Sequence, residues 1–228
     1  DDYRKELTAA RFIDVIRQNS VASRNTADAF IKEMLHYNFI ELMPTTQDGR
    51  IRPLRPVASA LEPVSGWMMA HLHTLDSLDG ASRLAMYLKQ PDALARVQPL
   101  VADGLLSSNP VREPKKTFSL FTWLNSGGVV MDWLISGVDP DDAGRDRIPT
   151  GVVSIGDFAN WLKLSRTHLA RKLRDAEELG SLGWLGQRGH SVMWVSSDFH
   201  REYMTAQAVK LAIIDAAFEE ALGPAPSA

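Results

Sequence analysis

The 228-residue chain contains no cysteine. That removes disulfide frameworks, thiolate metal sites and cysteine nucleophiles together, and it fits a reducing cytoplasm. No apolar run reaches the ~18 residues that a membrane span needs. The start, Asp1-Asp2-Tyr3-Arg4, has neither the apolar core of a secretory signal nor an initiator Met, so a natural start further upstream is expected. Catalytic signatures are missing too. There is no nucleophile elbow, phosphate-cradling loop or dinucleotide fingerprint, and the run Gly151 to Gly156 has the wrong spacing for any of them. His71 and His73 are two apart on an expected helix, so they point about 200° apart and cannot chelate one ion together. The loop opening at Asp139 resembles the start of a calcium loop, but its fifth residue is Ala143 and its twelfth is Thr150, neither suited to the role. No enzyme activity, metal or cofactor is therefore expected.

An excess of positive charge is also lacking. With 25 Lys and Arg against 28 Asp and Glu, the formal net charge is −3. Any surface for polyanions must then be local, because charges more than about 10 Å apart are largely screened.

What the chain does have is an internal repeat. Ala22-Ser23-Arg24-Asn25-Thr26-Ala27 matches Leu164-Ser165-Arg166-Thr167-His168-Leu169 at a spacing of 142 residues. In register, Ile31 faces Leu173, Lys32 faces Arg174, and Asn38 faces Gly180. Asn and Gly both tolerate the left-handed conformation that ends a helix. In each copy a Ser stands where its hydroxyl can cap a helix of roughly 15 residues. Two strand-like runs then flank a turn. These are Phe39 to Met43 and Ile51 to Leu54 around Gln47-Asp48-Gly49-Arg50, and Trp184-Leu185 and Ser191 to Val195 around Gln187-Arg188-Gly189-His190. Gly at these turns supplies the positive φ a hairpin needs. A helix follows each hairpin. Between the copies, helices are expected at Pro63 to Leu78, Arg83 to Gln90, Pro91 to Ser107 and Phe118 to Ser136, the last interrupted at Gly127-Gly128. Pro110, Pro114 and the Lys115-Lys116 pair mark a loop, as does Asp139 to Arg147. A C-terminal helix should run from Ser197 to Leu222 and stop at Gly223-Pro224.

The second copy has the clearer pattern. Ala159 is small where two helices would nearly touch, Leu164 closes the turn, Ser165 caps, and Leu169 packs back on Phe158 and Leu162. That spacing is the helix-turn-helix pattern, with Lys163 at the turn position where Gly is usual. Its second helix would expose Arg166, Thr167, Ala170, Arg171 and Arg174, with Arg188 and His190 at the tip of the hairpin. Arg reads guanine edges in the major groove, and Thr can touch a thymine methyl. Lys163 and Lys172 suit phosphates, which position without specifying.

In the first copy the exposed face of the second helix offers Arg24, Asn25, Asp28, Lys32 and His36, while Ala27, Phe30, Ile31, Met34 and Leu35 form its apolar face. The hairpin carries Arg50, Arg52 and Arg55, with Pro53 and Pro56 suited to an edge strand. The preceding helix is amphipathic through Leu7, Phe12, Val15 and Ile16, and the fixed spacing puts Arg17 at the helix crossing.

The segment Ser23 to Pro56, with Asp48-Gly49-Arg50-Ile51-Arg52 in its hairpin and a Pro-Val-Ala-Ser-Ala-Leu helix start, resembles the MarR-type winged-helix regulators. The resemblance implies homodimers whose core is built by helices outside the winged helix. A chain with two such modules could supply both halves itself, as an intramolecular pseudo-dimer. The expected fold is thus mainly α with two small β-wings, tandem winged helix-turn-helix modules joined by a helical core. The divisions are 1–62, 63–147, 148–198 and 199–228. The expected function is transcriptional regulation through double-stranded DNA, read by Arg166, Thr167, Arg171, Arg174, Arg188, His190, Arg24, Asn25, Lys32, Arg50 and Arg52. A protein-interaction scaffold without DNA binding is the alternative. Trp67, Met68, Met69, Trp123 and Trp133 in the middle region read as helix core, or as a pocket for a small apolar effector.

Overall fold

The structure is a computed structural model that describes residues 7–44, 52–114, 116–122 and 127–226. It is mainly helical with two small antiparallel sheets, as expected from the sequence. The chain divides into two compact units, one of residues 1–107 and 211–228, the other of residues 108–210. No described helix is long and apolar enough to cross a membrane.

The first unit begins with α1 (Ala9–Gln18) and α2 (Arg24–His36). Thr8 caps α1 by accepting from Arg11 N, and Ser23 caps α2 by accepting from Thr26 N. Asn38, at φ +57°, reverses the chain into β1 (Ile40–Leu42), which pairs with β2 (Leu54–Pro56). The expected turn at Gln47 to Arg50 lies outside the described residues. The strand expected at Ile51 to Leu54 begins instead at Leu54. Nor is β2 a plain edge strand. On its other side Pro53 bridges Thr8 and Leu54 N donates to Leu7 O at 2.6 Å.

The helix after the hairpin, α3 (Ala58–Asp79), starts five residues before the expected Pro63, followed by α4 (Arg83–Lys89) and α5 (Ala93–Ser107). Met68, Leu72, Val97, Val101, Ile214 and Phe218 are fully buried together. Gly104 allows this packing, because a Cβ there would stand 2.5 Å from Ile213 Cγ2. Arg83 is buried among carboxylates. It donates to Asp79 at 2.7 and 2.9 Å and to Asp215 at 2.6 Å. Asp76 accepts from the backbone N–H of Arg83 and Leu84, so it caps α4 where Ser82 does not. A buried guanidinium is tolerable only when it is paired and hydrogen-bonded in this way.

The second unit starts with α6 (Asn109–Arg112), a single turn with Pro110 near its start in place of the expected loop. The helix expected at Phe118 to Ser136, with its interruption at Gly127-Gly128, is described as α7 (Lys116–Thr122) and α8 (Gly127–Ser136), the latter beginning at the first of those glycines. The carbonyl of Phe121 sits so close to Gly127 that any Cβ there would overlap it. A 3₁₀ turn at Pro140–Asp142, capped by Asp139, lies inside the expected loop, and β3 (Arg147–Pro149) begins at its end. Then come α9 (Ile155–Trp161), α10 (Arg166–Glu178), β4 (Leu182–Trp184) and β5 (Met193–Ser196). The strands order as β3-β5-β4. Last is α11 (Ser197–Leu222), whose residues belong in turn to the second and the first unit.

Leu169, Leu173, Ala176, Ile148, Met193, Val195 and Phe121 are all fully buried in the core of the second unit. The first copy of the repeat is thinner. Among its described residues before α3, Ala27, Ile31, Pro53 and Leu54 are the buried apolar side chains, while Phe30 is 47% exposed.

Two predictions follow from this packing. Leu173→Ala should destabilise the second unit by about 2–5 kcal/mol, whereas Phe30→Ala should cost about half of the 3–5 kcal/mol that a fully buried Phe loses, because the ring is already 47% exposed; urea unfolding followed by circular dichroism checks both. The second concerns acid. Hydrogen bonds from Arg83 hold the Asp79 carboxyl at about 2, below its ordinary 3.8. The folded value is the lower one, so this pair's stabilisation is complete above 3.8 and is lost as the pH falls through about 2. The stability gap between the wild type and Asp79→Asn should therefore narrow between pH 5 and pH 2.5 in urea titrations.

Candidate functional site

The two copies of the repeat match in backbone detail. Ile40 pairs with Pro56 as Leu182 pairs with Val195, which sets an offset of 142 residues before the hairpin and 139 after it. Phe39 N donates to Met34 O as Ser181 N donates to Ala176 O, at 2.9 and 3.0 Å. Asn38 and Gly180 both take the left-handed conformation expected of them.

The turn between the first two helices differs by one residue. In the second copy Leu164 N donates to Ala159 O, and Lys163 carries φ +56°. In the first, Val21 N donates to Ile16 O, and the left-handed residue is Ser20. The helix-crossing position is therefore the half-buried Ile16, and Arg17 points to solvent. A fixed spacing of 142 cannot show this, because the extra residue sits in the turn.

The outward face of α10 follows from its caps and its buried side. Ser165 Oγ accepts from His168 N, which starts the helix at Arg166. Leu169, Leu173 and Ala176 then occupy one face at 0% exposure. Arg166, Thr167, Arg171 and Arg174 fall on the other and are exposed. Ala170, expected among them, is half-buried against the core. Arg166, Arg171 and Arg174 have no ion-pair partner among the described residues. Lys172 has Asp175 at 3.8 Å.

A cleft of about 460 Å³ lies beside this face. It is lined by Val153 to Gly156, by Arg166 and Ala170 of α10, and by Arg188, Gly189 and His190 of the hairpin loop. Arg166 passes over Gly156, where even a Cβ would make only ordinary contact with the guanidinium at 3.9 Å. Arg188 is not free. Its Nε donates to Glu177 at 3.0 and 3.2 Å, and the same carboxylate accepts from Trp184 Nε1 at 2.6 Å. Glu177 thus ties the hairpin to α10 and uses part of the positive charge expected there. The expected strands shift as well, β4 ending at Trp184 and β5 starting at Met193.

In the first copy Arg24 and Asn25 are exposed at the start of α2. Lys32 is committed to Asp28 at 2.7 Å, and Arg55 to Glu41 at 2.8 Å. Arg52 lies along the hairpin, donating weakly to the carbonyls of Met43 and Leu42. Arg50 lies outside the described residues. Among the described residues, three arginines without an ion pair share one face of α10, where α2 offers Arg24 alone.

The described tryptophans and methionines of the middle region fall in two different units. Met68 is core and Trp67 and Met69 pack against it. Trp133 packs against Trp161 at 4.0 Å and Phe158 at 6.5 Å within the second unit, and Trp123 lies outside the described residues. His71 Nδ1 is 2.8 Å from Trp67 O. Among the described residues no group of three or more metal-ligating side chains forms.

Sequence reasoning missed β3 and the Arg147 guanidinium stacked 4.8 Å from the Trp194 ring. The polar-apolar alternation of Arg147-Ile148-Pro149 was its one signal. It also missed Tyr203, whose hydroxyl donates to Asp132 at 2.6 Å. Burial first, then that hydrogen bond, raises the phenol above its ordinary range. Burial likewise lowers the Lys210 amine, opposed by the same Asp132.

Comparison with known proteins finds no matching family model, no matching curated protein and no matching solved structure.

Lys163 supplies a direct test of the turn. A non-glycine residue held left-handed costs about 1–2 kcal/mol, part of which glycine returns through its floppier unfolded state. Lys163→Gly should raise stability by up to about 1 kcal/mol, read as a higher melting temperature, whereas the same change at the right-handed Lys172 should lower it.

Proposed function

We propose that both copies are winged-helix modules and that the chain is a DNA-binding transcriptional regulator acting mainly through the second. The observation that carries this reading is the unpaired arginine face of α10. Arg166, Arg171 and Arg174 stand outward on a helix whose back is locked in the core, beside a cleft that Arg188 and His190 border. A helix laid in the major groove would bring Arg166 and Thr167 to base edges first, because the N-terminal end of such a helix enters the groove. Arg171 and Arg174, one and two turns on, would meet base edges or phosphates. The hairpin loop would lie against the adjacent backbone, with His190 free to approach it and Arg188 released from Glu177 only at a cost. The net charge of −3 is compatible with this, because Arg166, Arg171 and Arg174 follow one another at about 7.5 and about 4.5 Å of helix rise, each step within the screening length.

The first module fits a weaker role on DNA, with Lys32 and Arg55 already neutralised by Asp28 and Glu41. Its open apolar face favours contact with protein.

The experiment is selection of bound sequences from random double-stranded DNA, then affinity measurement on the selected site. Arg166→Ala and Arg171→Ala should each weaken binding by about 1–3 kcal/mol. Arg55→Ala, in an existing ion pair, should leave it nearly unchanged. Affinity should fall steeply with salt, and more shallowly in the arginine variants. Binding that survives both substitutions, or no binding at low salt, would falsify the assignment.

A further inference from the structure

The first copy of the repeat carries an apolar groove of about 430 Å³, lined by Phe12, Phe30, Met34, Phe39, Leu61 and Val64 among others. Phe30, Phe39 and Leu61 are 47%, 45% and 39% exposed. Large aromatic and aliphatic side chains gathered at one place on a surface mark an interaction site more often than scattered ones do.

The second copy of the repeat shows what covers the same place. The hairpin registers make Phe39 equivalent to Ser181, Ala60 to Phe199, and Val64 to Tyr203. The hydrogen bonds that close the two hairpins agree, Val57 N to Phe39 O and Ser196 N to Ser181 O. In the second copy all three positions lie under α7. Thr117 shares a hydroxyl–hydroxyl hydrogen bond with Ser181, Phe121 packs on Phe199 at 6.3 Å, and Phe118 packs on Tyr203 at 6.5 Å. Phe121 is completely buried there. In the first copy the same three positions line the open groove.

The differences in sequence fit an occupant with a drier face than α7. Ser181, which needs a hydroxyl partner, is replaced by Phe39. His200 is replaced by Leu61, and Lys172 by Phe30. At the rim Arg55 is already paired with Glu41, so the groove offers no unpaired charge to its occupant.

We infer that the groove bounded by Phe30, Phe39, Leu61 and Val64 is a docking site for an amphipathic α-helix of a partner protein, seated across α2 and the start of α3 as α7 is seated across α10 and α11. The helix presents large apolar side chains at i, i+1 and i+4, the positions that Thr117, Phe118 and Phe121 hold on α7, and no charge on that face. This is helix-in-groove recognition, in which a few apolar anchors at helical spacing provide most of the affinity.

The probe is a phage-displayed library of helix-forming peptides, panned on the full chain. The competitor is the full chain carrying Phe39→Ser and Leu61→His, which restores the second copy's residues. Enriched peptides should share large apolar residues at helical spacing and bind the wild type about tenfold or more tightly than the double variant by fluorescence anisotropy. Circular dichroism melting of the double variant checks its fold; should it melt early, Phe30→Lys, at an exposed position on the same groove, replaces it. Enrichment of no helical pattern, or equal binding to wild type and variant, overturns the proposal. So does a wild-type dimer in sedimentation that the variant abolishes, since the occupant would then be a second copy of this chain.

Discussion

The rotation of α10 about its own axis is fixed by three side chains. Leu169, Leu173 and Ala176 are spaced four and three residues apart and fully buried, so a turn of the helix by one residue would bring a polar side chain into the core. Deleting one such anchor costs a few kcal/mol, a large share of the 5–15 kcal/mol that holds a domain folded. The outward arginines are thus set by what stands behind them. Ser165 fixes where the helix begins and Gly180 where it ends, so the cations are fixed along the axis as well as around it. Glu177 adds a further constraint by holding both Trp184 and Arg188, which ties the hairpin to the helix it follows.

The same backbone frame supports a different surface in the first copy. Its caps, its left-handed Asn38 and its hairpin register repeat those of the second, yet two of the cations near its equivalent face are paired and its apolar side chains are half in solvent. Backbone geometry is shared by the copies, whereas charge and apolar exposure are distributed between them. The proposed division of labour, nucleic acid on one copy and protein on the other, rests on that distribution.

Much of the frame was legible in the sequence because it rests on local rules. Ser23 and Ser165 as caps, Asn38 and Gly180 as left-handed stops, and the apolar spacing of α10 each concern residues within one or two turns of each other. The misplacements have longer-range causes. Arg17 appeared at the helix crossing because an extra residue in the first turn cannot be seen from the second copy's spacing. The interruption at Gly127-Gly128 was legible, but the close approach of Phe121 O to Gly127 is a contact made only in the folded chain. The Arg83 cluster joins residues 132 positions apart and leaves no local pattern. Periodicity marked Ala170 as outward, and packing against the core half-covered it. At the candidate site the residue types were readable from the helix pattern, but their pairing was not. Which arginines are free and which are neutralised depends on Asp28, Glu41 and Glu177, and those contacts exist only in three dimensions.

The thin packing of the first copy bears on its motions. With Ala27, Ile31, Pro53 and Leu54 as the buried apolar residues described before α3, the pair α1 and α2 has little to lose by separating from the rest. Segments with few buried contacts open at a small fraction of the global unfolding free energy. Amide protons of α1 and α2 would then exchange with solvent well ahead of those in α10, whose anchors let go only when the whole unit does.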